Sequence, residues 1–421
     1  MVNVNKLLSL EEAQDLALGA VVPLATEKVQ LEDASGRVLA EEVRALRDEP
    51  PSTQAAMDGY AVHSEDVDAA SSEKPVFLTV VGTVGPGQQI ELQLKRKEAL
   101  RVMTGAPLPA GADAVVPHEM TEIVAEGVVV KAVVASGDYL IPAGTELQMD
   151  QHLLTGSTVL GAKELTILAT QGYSTIQVRR QPVVAVLATG SELVEMGKSL
   201  DQNGVFASNL HTVSNLVNHY GGRARVLGIA EDQVERFTSF MKKGSRADVI
   251  VTTGGTGKGE KDLVSAAIGT LGGDVLFHGV AMSPGKQALF AKCGGTLLFG
   301  LPGRPAATYI TFEQLVRPVL IQMLGISKVF PPETTAVLSG SVKVRGKLLS
   351  FLFGRLIFGP AGLEVESLRP ERKGILTEML AANCLLKVPP GRDRLEKGEP
   401  VTVQLLDLGL EGLSYFEVPS G

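Results

Sequence analysis

The sequence predicts a multidomain protein of the α/β plus β class, and three observations support that prediction. The chain has 421 residues, more than one domain usually contains. Residues 182–325 alternate apolar, strand-like runs with segments of helical periodicity, which is typical of a parallel sheet with right-handed crossover helices. Residues 74–138 and 333–421 hold strand-like runs separated by Gly and Pro, which indicates a β-rich module and a small C-terminal β-barrel or sandwich.

The boundaries of individual elements follow from the same periodicity. A helix is predicted over residues 8–20, with Ser9 as its N-cap. The β-rich module has strand-like runs at 76–82, 90–94, 98–102, 114–116 and 128–134. The α/β region has predicted strands at 183–187, 223–229, 248–252, 276–280, 288–292 and 296–301, and predicted helices at 208–220, 233–243, from about 262, and 303–324. Residues 333–421 are all strand-like and carry no recognisable chemistry.

Composition narrows the function. The net charge is −8 and the Lys and Arg residues are scattered, which argues against a binder of nucleic acid or of membrane surfaces. The two cysteines, Cys293 and Cys384, are far apart and in no metal-binding or redox spacing. Residues 1–10 show no signal peptide, and there is no apolar run of ~20 residues, so we expect a cytoplasmic protein.

A glycine-rich turn follows the predicted strand at 248–252 and leads into the helix expected from about Asp262. The glycines of this turn are Gly254, Gly255, Gly257 and Gly259. A strand, a turn without side chains and a helix start together offer free N–H groups and a positive dipole end, which suit a phosphate. The turn is not a Walker A loop, because Lys258 is followed by Gly. An ordinary turn between strand and helix is the alternative.

Three carboxylates follow predicted strands of the α/β region: Glu192, Asp232 and Asp262. In such sheets ligands bind outside the carboxyl ends of the strands, so these side chains are expected to converge. Like charges that meet destabilise the fold unless a cation or a hydrogen-bond donor compensates them. The sequence therefore predicts a phosphate site assisted by Mg²⁺ at this edge of the sheet.

The β-rich module offers further candidate residues. Asp58 lies at the mouth of a predicted strand, where it could bind a metal or accept a hydrogen bond from a hydroxyl, or simply form an Asp-Gly turn. Thr104 lies in a loop of small residues and prolines that a ligand could approach closely, or that is only a Pro-rich hairpin loop. Glu146, in the loop around 137–147, is expected to be exposed or to face the site.

Four motifs in the chain resemble those of one family. They are Met-Asp-Gly-Tyr-Ala-Val at 57–62, Met-Thr-Gly-Ala-Pro-Leu-Pro at 103–109, Thr-Gly-Ser-Glu-Leu at 189–193 and Leu-Pro-Gly-Arg-Pro at 301–305. The family is the molybdopterin molybdenumtransferases, or MoeA family, to which the gephyrin E-domain is related. The resemblance implies four parts: an N-terminal linker and dimerisation region (1–48 and 148–180), a β-rich domain (49–147), a molybdopterin-binding α/β domain (181–328) and a C-terminal β-barrel (329–421).

The resemblance also implies a reaction. Members of the family take adenylylated molybdopterin and molybdate as substrates, release AMP and leave molybdenum on the dithiolene, with Mg²⁺ as the expected cofactor. They are homodimers, in which each active cleft lies between the α/β domain of one subunit and the β-rich domain of the other. The molybdopterin adenylyltransferase and molybdoenzyme clients are further expected partners, and neither nucleic acid nor a membrane is expected.

Roles are implied residue by residue. The catalytic set is Asp58, Thr104, Glu192, Asp232, Asp262 and Lys286. The metal ligands are Glu146, where the family usually has Asp, with Glu192, Asp232 and Asp262. The cofactor-binding set is Gly254, Gly255, Gly257, Gly259, Lys258, Ser208, Pro302, Gly303 and Arg304.

Several positions depart from the family pattern. Thr256-Gly257 replaces Val-Ser in the glycine turn, and Lys-Pro-Gly-Lys reads Met282-Ser283-Pro284-Gly285-Lys286. A second upstream lysine of the family is Gly279, and we expect Lys258 and Lys261 to restore that charge. Pro-Gly-Asn-Pro has become Pro-Gly-Arg-Pro, and the Asp that usually precedes Ser208-Asn209 is missing. A divergent paralogue is therefore the alternative: one that binds molybdopterin or a nucleotide without inserting metal, as a carrier, sensor or scaffold. For an insertase, tungsten in place of molybdenum stays open.

Overall fold

The structure is a computed structural model that describes residues 7–256, 263–344, 346–359, 362–368 and 375–410. The chain divides into two compact units. The first contains Met1–Glu41, Gly156–Thr166 and Ser174–Gly421, and the second contains Glu42–Thr155 and Ile167–Tyr173. None of the helices within the described ranges is both long and apolar enough to cross a membrane.

The first unit begins with the helix Leu10–Gly19, as the sequence predicted. Its start is fixed by a capping box: the Ser9 hydroxyl accepts from the N–H of Glu12 at 3.0 Å, and the Glu12 carboxylate accepts from the N–H of Ser9 at 2.7 Å. The strand Thr26–Gln30 then pairs antiparallel with Thr175–Arg179.

A six-stranded sheet forms the centre of the first unit. Its strands, in spatial order, are Arg223–Ala230, Val183–Thr189, Val249–Thr253, Thr296–Leu301, Leu289–Cys293 and Asp274–His278. The first four are parallel, and Thr189 pairs with Ala230 while Thr253 pairs with Leu301. These four strands therefore end at one common rim, which is where the candidate site lies.

Helices cover both faces of this sheet, because successive strand residues point to opposite sides. Val184 and Val186 pack with the helix Ser208–His219, whereas Ala185 and Leu187 pack with Phe237 and Met241 of another helix. The remaining helices of the α/β region are Val234–Gly244, Leu263–Thr270, Pro305–Thr311 and Arg317–Met323, the last two joined by a π-helical turn at Phe312–Val316. The predicted α/β fold is confirmed.

The sheet is not parallel throughout. Leu289–Cys293 runs antiparallel to Thr296–Leu301, and Asp274–His278 runs antiparallel to Leu289–Cys293. Cys293 pairs with Thr296 across Gly294-Gly295, so these two strands form a tight hairpin. A two-residue connection leaves no room for a crossover helix, and the strands it joins must be antiparallel.

The π-helical turn carries a buried polar pair into the core of the first unit. Glu313 and Arg317 are 1% and 2% exposed, and the Arg317 Nε lies 3.7 Å from Glu313 Oε2. The Tyr220 hydroxyl donates to the Glu313 carboxylate, at 2.9 Å from Oε1. Burial raises the pKa of Glu313 to about 7.

The C-terminal part of the first unit is a closed five-stranded barrel. Leu349–Gly359 pairs on its two sides with Gly362–Ser367 and Cys384–Val388, and the ring is completed by Glu333–Leu338 and Pro400–Leu405. The predicted barrel is confirmed. A short strand from the α/β region, Met282–Ser283, adds to the barrel in parallel: Met282 pairs with Leu349 and Ser283 with Ser350.

One element of the C-terminal part was not predicted. The sequence predicted only strands over 333–421, but Ile375–Ala381 is a helix. It is seven residues long and buries no side chain, with Leu380 89% exposed. Its larger apolar residues, at 375, 376, 379 and 380, do follow helical spacing, but two turns of it are too short to stand out among the surrounding strand-like runs.

The second unit is built on another six-stranded sheet. Its order is Ala114–Pro117, Gly59–Val62, Glu98–Val102, Val76–Val84, Gly127–Val130 and Thr121–Val124. The predicted strand at 90–94 was wrong: residues 90–94 form only an isolated bridge, from Gln93 to Ala110. Leu94 is buried and its N–H donates to the Ala110 carbonyl at 2.8 Å, so a single anchored loop residue produced the strand-like pattern.

One further helix and several short strands complete the description. The helix is Ala162–Thr170, and 3₁₀ turns occur at Leu31–Asp33, Ser64–Asp66 and His118–Met120. Short strand pairs join Val43–Arg44 to His152–Leu154, Gln54–Ala55 to Leu140–Ile141, Leu193–Val194 to Val205–Phe206, and Val342–Lys343 to Arg394–Leu395.

Candidate active site

A cavity of about 570 Å³ opens at the rim where the four parallel strands of the first unit end. Its walls come from the turn after Val183–Thr189, the start of the helix Ser208–His219, the glycine turn and the loop at Gly303. Ligand pockets of proteins typically have volumes of about 300–1,000 Å³ and lie at this edge of α/β sheets. The cavity is therefore the natural candidate for a ligand site.

Asp232 is held in place at this cavity by the strand end beside it. Its Oδ1 accepts from the Thr189 hydroxyl at 2.7 Å, and its Oδ2 accepts from the Ser191 N–H at 3.2 Å. Thr189 is only 4% exposed. Two donors on a rigid strand end hold the carboxylate in one orientation, so its charge faces the cavity without rearrangement.

Glu192 lies on the same turn and also lines the cavity. Its carboxylate lies against the backbone of Gly190, where an added Cβ would be 2.8 Å from both carboxylate oxygens. The Glu192 carbonyl accepts from the N–H of Val205 at 2.8 Å, which fixes the turn. Two of the three carboxylates that were predicted to converge, Glu192 and Asp232, thus line one cavity, and the third, Asp262, lies outside the described residues.

The glycine turn is pressed against the end of the neighbouring strand. Gly254 has φ +86°, and a Cβ there would lie 2.3 Å from the Thr189 carbonyl oxygen. No other residue type fits this combination of left-handed backbone and close approach. Gly254 and Gly255 line the cavity. The other predicted residues of the turn, Gly257, Lys258, Gly259 and Asp262, lie outside the described residues.

The helix Ser208–His219 begins at the cavity, which Ser208 and Asn209 both line. Its N-cap is Ala207, whose side chain forms no capping hydrogen bond. The N–H groups of Ser208 and Asn209 therefore have no side-chain cap, whereas that of Leu210 donates to the Ala207 carbonyl at 3.2 Å. The dipole makes this end of the helix attractive to an anion. The Asn209 Nδ2 donates to the Gly303 carbonyl at 2.8 Å and so ties the loop at Gly303 to the helix start.

Three other predicted residues do not line this cavity. Pro302 and Arg304 flank Gly303, and both their carbonyls accept from the Thr308 hydroxyl, at 2.5 and 3.2 Å. They therefore act on the loop through its backbone. Lys286 is exposed and follows the short strand Met282–Ser283.

A second polar cluster lies on the β-rich unit. Asp58 Oδ1 accepts from the N–H of Thr104 at 2.7 Å and from its hydroxyl at 2.8 Å. These two hydrogen bonds lower the pKa of the Asp58 carboxyl, and the charges of His118 and Arg101 lower it further. The structure thus brings these two predicted residues into direct contact.

The sequence analysis missed His118 and Arg101. The His118 N–H donates to the Asp58 carbonyl at 3.2 Å, and an Arg101 Nη lies 3.5 Å from His118 Nε2. A signal for Arg101 was present, because it is the exposed residue between buried Leu100 and Val102 in a strand that leads into the Thr104 loop. His118 carried no such signal, since it follows a strand that is buried throughout.

The four predicted metal ligands are distributed over the chain. Glu192 and Asp232 line the cavity of the first unit, whereas Glu146 belongs to the second unit, is exposed, and donates its N–H to the Glu49 carbonyl at 2.9 Å. Across the part of the chain that the structure describes, no group of three or more His, Cys, Asp or Glu side chains is arranged to hold a metal. Two carboxylates nevertheless suit Mg²⁺, which typically combines one or two of them with phosphate oxygens and water.

Fold and cavity together define a protein of the α/β class with a ligand cavity at the carboxyl ends of a parallel sheet. Comparisons with known proteins identify the family. Three family models match consecutive parts of the chain: the MoeA N-terminal region (domain I and II) at 8–172, the probable molybdopterin binding domain at 185–322, and the MoeA C-terminal region (domain IV) at 335–406.

Similar proteins agree with this assignment over nearly the whole chain. The molybdopterin molybdenumtransferase of Bacillus subtilis (strain 168) is 33% identical over 90% of each chain, and that of Nostoc sp. (strain PCC 7120) is 32% identical over 91% of this chain and 89% of the relative. The crystal structure of the molybdopterin biosynthesis moea protein from Pyrococcus horikosii superposes with a TM-score of 0.85 at 30% identity, over 95% of this chain and 99% of that one. The chain belongs to the molybdopterin molybdenumtransferase family, which confirms the resemblance of its motifs.

Proposed function

We propose that this chain is a transferase of molybdenum cofactor biosynthesis, which moves molybdenum from molybdate onto the dithiolene of adenylylated molybdopterin and releases AMP. The observation that carries the proposal is the convergence of Glu192 and Asp232 with the glycine turn in one cavity. A relative that bears the transferase name is 33% identical over nine-tenths of this chain. A nucleotide-bearing pterin has the anionic phosphates that such a cavity fits.

The residues of the cavity divide the work by charge. The N–H group of Gly255 and the uncapped start of the helix at Ser208 bind phosphate oxygens. The Gly254 N–H instead donates to the Leu301 carbonyl at 3.1 Å and fixes the turn. Glu192 and Asp232 would hold Mg²⁺, which when bound offsets the negative charge that develops on the departing AMP. Thr189 keeps the Asp232 carboxylate oriented throughout.

The cluster on the β-rich unit has a different task in this proposal. Thr104 holds Asp58 ionised through two hydrogen bonds, so Asp58 can accept a hydrogen bond from a protonated oxygen or nitrogen of a substrate. In this role Asp58 and Thr104 orient molybdate or the dithiolene. Lys286, which is exposed, supplies positive charge for an oxyanion.

The test is AMP release from adenylylated molybdopterin that depends on both Mg²⁺ and molybdate. The Glu192→Gln variant removes one carboxylate of the cavity and should lower the rate by roughly 100-fold, since charge stabilisation of this kind is worth several kcal/mol. Glu195→Gln is the matched control, because Glu195 pairs with Lys198 at 2.7 Å and does not line the cavity. Equal rates for the two variants would refute the site.

An alternative function is retention of the ligand without turnover. The observation that favours it is Lys286, the remaining cation of its motif, which lies outside the cavity lining. Tight binding of adenylylated molybdopterin by the wild type with no AMP release would establish this carrier or sensor role. Replacing molybdate by tungstate in the same assay decides between the two metals.

Assembly and partners extend the proposal. We propose that the chain is a homodimer that works in the cytoplasm and receives its substrate from a molybdopterin adenylyltransferase before serving molybdoenzyme clients. A molar mass of twice 44.4 kDa by light scattering is the expected result for the dimer. A monomer that releases AMP at the full rate would contradict it.

A further inference from the structure

The cavity of the first unit has an apolar side that the proposed chemistry does not use. We call Leu193, Val205, Phe206 and Val234 the apolar lip, and all four line the cavity. Phe206 is 37% exposed and Val205 is 53% exposed. Single exposed apolar residues are common on protein surfaces, but several that adjoin one another at a ligand cavity mark a binding surface.

The lip is held rigidly. Leu193–Val194 and Val205–Phe206 form a short parallel pair, in which Val194 is opposite Phe206. The N–H of Val205 donates to the Glu192 carbonyl at 2.8 Å, and the N–H of Ala207 donates to the Val194 carbonyl at 3.0 Å. Phe206 therefore sits between two hydrogen-bonded residues and directly before the helix Ser208–His219. Its ring is presented to a ligand at little entropic cost, as an aromatic side chain has only two side-chain torsions.

The same cavity also has a polar side. It includes the fixed carboxylate of Asp232, the carboxylate of Glu192, the Gly255 amide, and the start of the helix at Ser208, which has no side-chain cap. A ligand that satisfies both sides must have an anionic end and, a few ångströms away, a flat apolar surface. A phosphorylated compound with a planar heterocycle has this combination.

We propose that Phe206 stacks on the planar heterocycle of the bound ligand and so decides which phosphorylated compounds the cavity accepts. The inference rests on the proposed function and deepens it, because both adenine and pterin are planar heterocycles of that substrate. Stacking on an aromatic side chain tolerates either ring, since each has a π-face. Phosphate contacts alone would not distinguish these ligands from a simple sugar phosphate.

Calorimetric titration in the presence of Mg²⁺ tests the proposal with three probes: AMP, neopterin and ribose 5-phosphate. Phe206→Ala should weaken binding of AMP, of neopterin or of both by about 10- to 100-fold, and should leave ribose 5-phosphate within about twofold of wild type. The probe that weakens identifies the ring that Phe206 contacts. Phe358→Ala is the matched control, because Phe358 is 91% exposed on the barrel strand Leu349–Gly359 and does not line the cavity.

A fluorescence experiment complements the loss of affinity expected in Phe206→Ala. The chain contains no tryptophan, so Phe206→Trp introduces a single fluorescent reporter that keeps the aromatic surface. We expect AMP or neopterin to quench its emission while binding with wild-type affinity, and ribose 5-phosphate to leave the emission unchanged.

Three results would overturn the inference: unchanged affinities in Phe206→Ala, an equal loss for all three probes, or no binding of AMP and neopterin by the wild type. The stacking proposal and the proposed function can fail independently of each other. A wild type that releases no AMP but loses only ring affinity in Phe206→Ala refutes the transfer reaction and supports stacking. If the wild type releases AMP and Phe206→Ala binds every probe normally, the transfer reaction is supported and stacking is refuted.

Discussion

The buried carboxylate of Glu313 should make the stability of the protein depend on pH in a definite window. Its ordinary pKa is 4.5 and burial raises it to about 7, so folded protein retains this proton where unfolded protein releases it. Below pH 4.5 the Glu313 carboxyl is protonated in both the folded and the unfolded protein, so it causes no loss of folding free energy. Between pH 4.5 and 7 stability falls by about 1.4 kcal/mol per pH unit, and above 7 the loss is constant. The total is about 3 kcal/mol.

The Glu313→Gln variant isolates this contribution. A glutamine cannot ionise, but its carbonyl oxygen can still accept from the Tyr220 hydroxyl, which lies 2.9 Å from Glu313 Oε1. Relative to the variant, the wild type should lose about 3 kcal/mol between pH 4.5 and 7. The measurement is urea or thermal unfolding of both proteins at intervals of half a pH unit.

The exposed residue Glu366 provides the control for this experiment. Glu366→Gln, on a barrel strand, should follow the wild-type curve across the whole range. If the curves of wild type and Glu313→Gln stay parallel from pH 4.5 to 7.5, the buried carboxylate does not hold its proton and the reasoning is refuted.

Three further predictions concern the two candidate sites. Gly254→Ala should lower the melting temperature and abolish AMP binding. The left-handed backbone alone costs an alanine about 1–2 kcal/mol, and its Cβ would lie 2.3 Å from the Thr189 carbonyl oxygen. Gly269→Ala is the control and should have neither effect, since there is open space around Gly269. Thr104→Val should raise the pKa of Asp58, as measured by NMR titration, because the hydroxyl that stabilises the carboxylate is lost. As the pH is lowered, the variant should then lose activity at a higher pH than the wild type. Thr104→Ser keeps the hydroxyl and should leave the pKa unchanged. Thr189→Val removes the hydroxyl that orients the carboxylate in the cavity and should raise the Mg²⁺ concentration for half-maximal AMP release by about 10- to 100-fold, while Thr189→Ser keeps the wild-type value.

Much of the α/β fold could be predicted, because its signals are local. The strand 183–187 is a continuous apolar run, and the helix at 208–220 shows a clear apolar face. Parallel strands end on one side of a sheet, so Glu192 and Asp232 were predictable neighbours before any coordinates. The hairpin at Gly294-Gly295 was the exception, since a two-residue connection decides strand direction whatever the surrounding pattern.

Other features of the sites depend on contacts between distant residues. The hydrogen bond from Thr189 to Asp232 joins residues 43 positions apart, and the bond from Thr104 to Asp58 joins residues 46 apart. No periodicity encodes such pairs. The charge of Arg101 lowers the pKa of Asp58 from a strand that is paired with Gly59–Val62, where Tyr60 is the partner of Arg101. Strand register of this kind is a property of the folded sheet.

The short strand Met282–Ser283 has a consequence for how the protein can be dissected. It belongs by sequence to the α/β region, yet its hydrogen-bonding neighbour is the barrel strand Leu349–Gly359. A fragment truncated before Glu333 would lack the barrel strand that pairs with Met282–Ser283. The segment that bears Lys286 would then lose this support. If the barrel is exchanged for that of a relative, the affinity for anions should therefore change, even where every side chain around the ligand is kept. The reason is that the barrel strand holds the backbone of this segment in place.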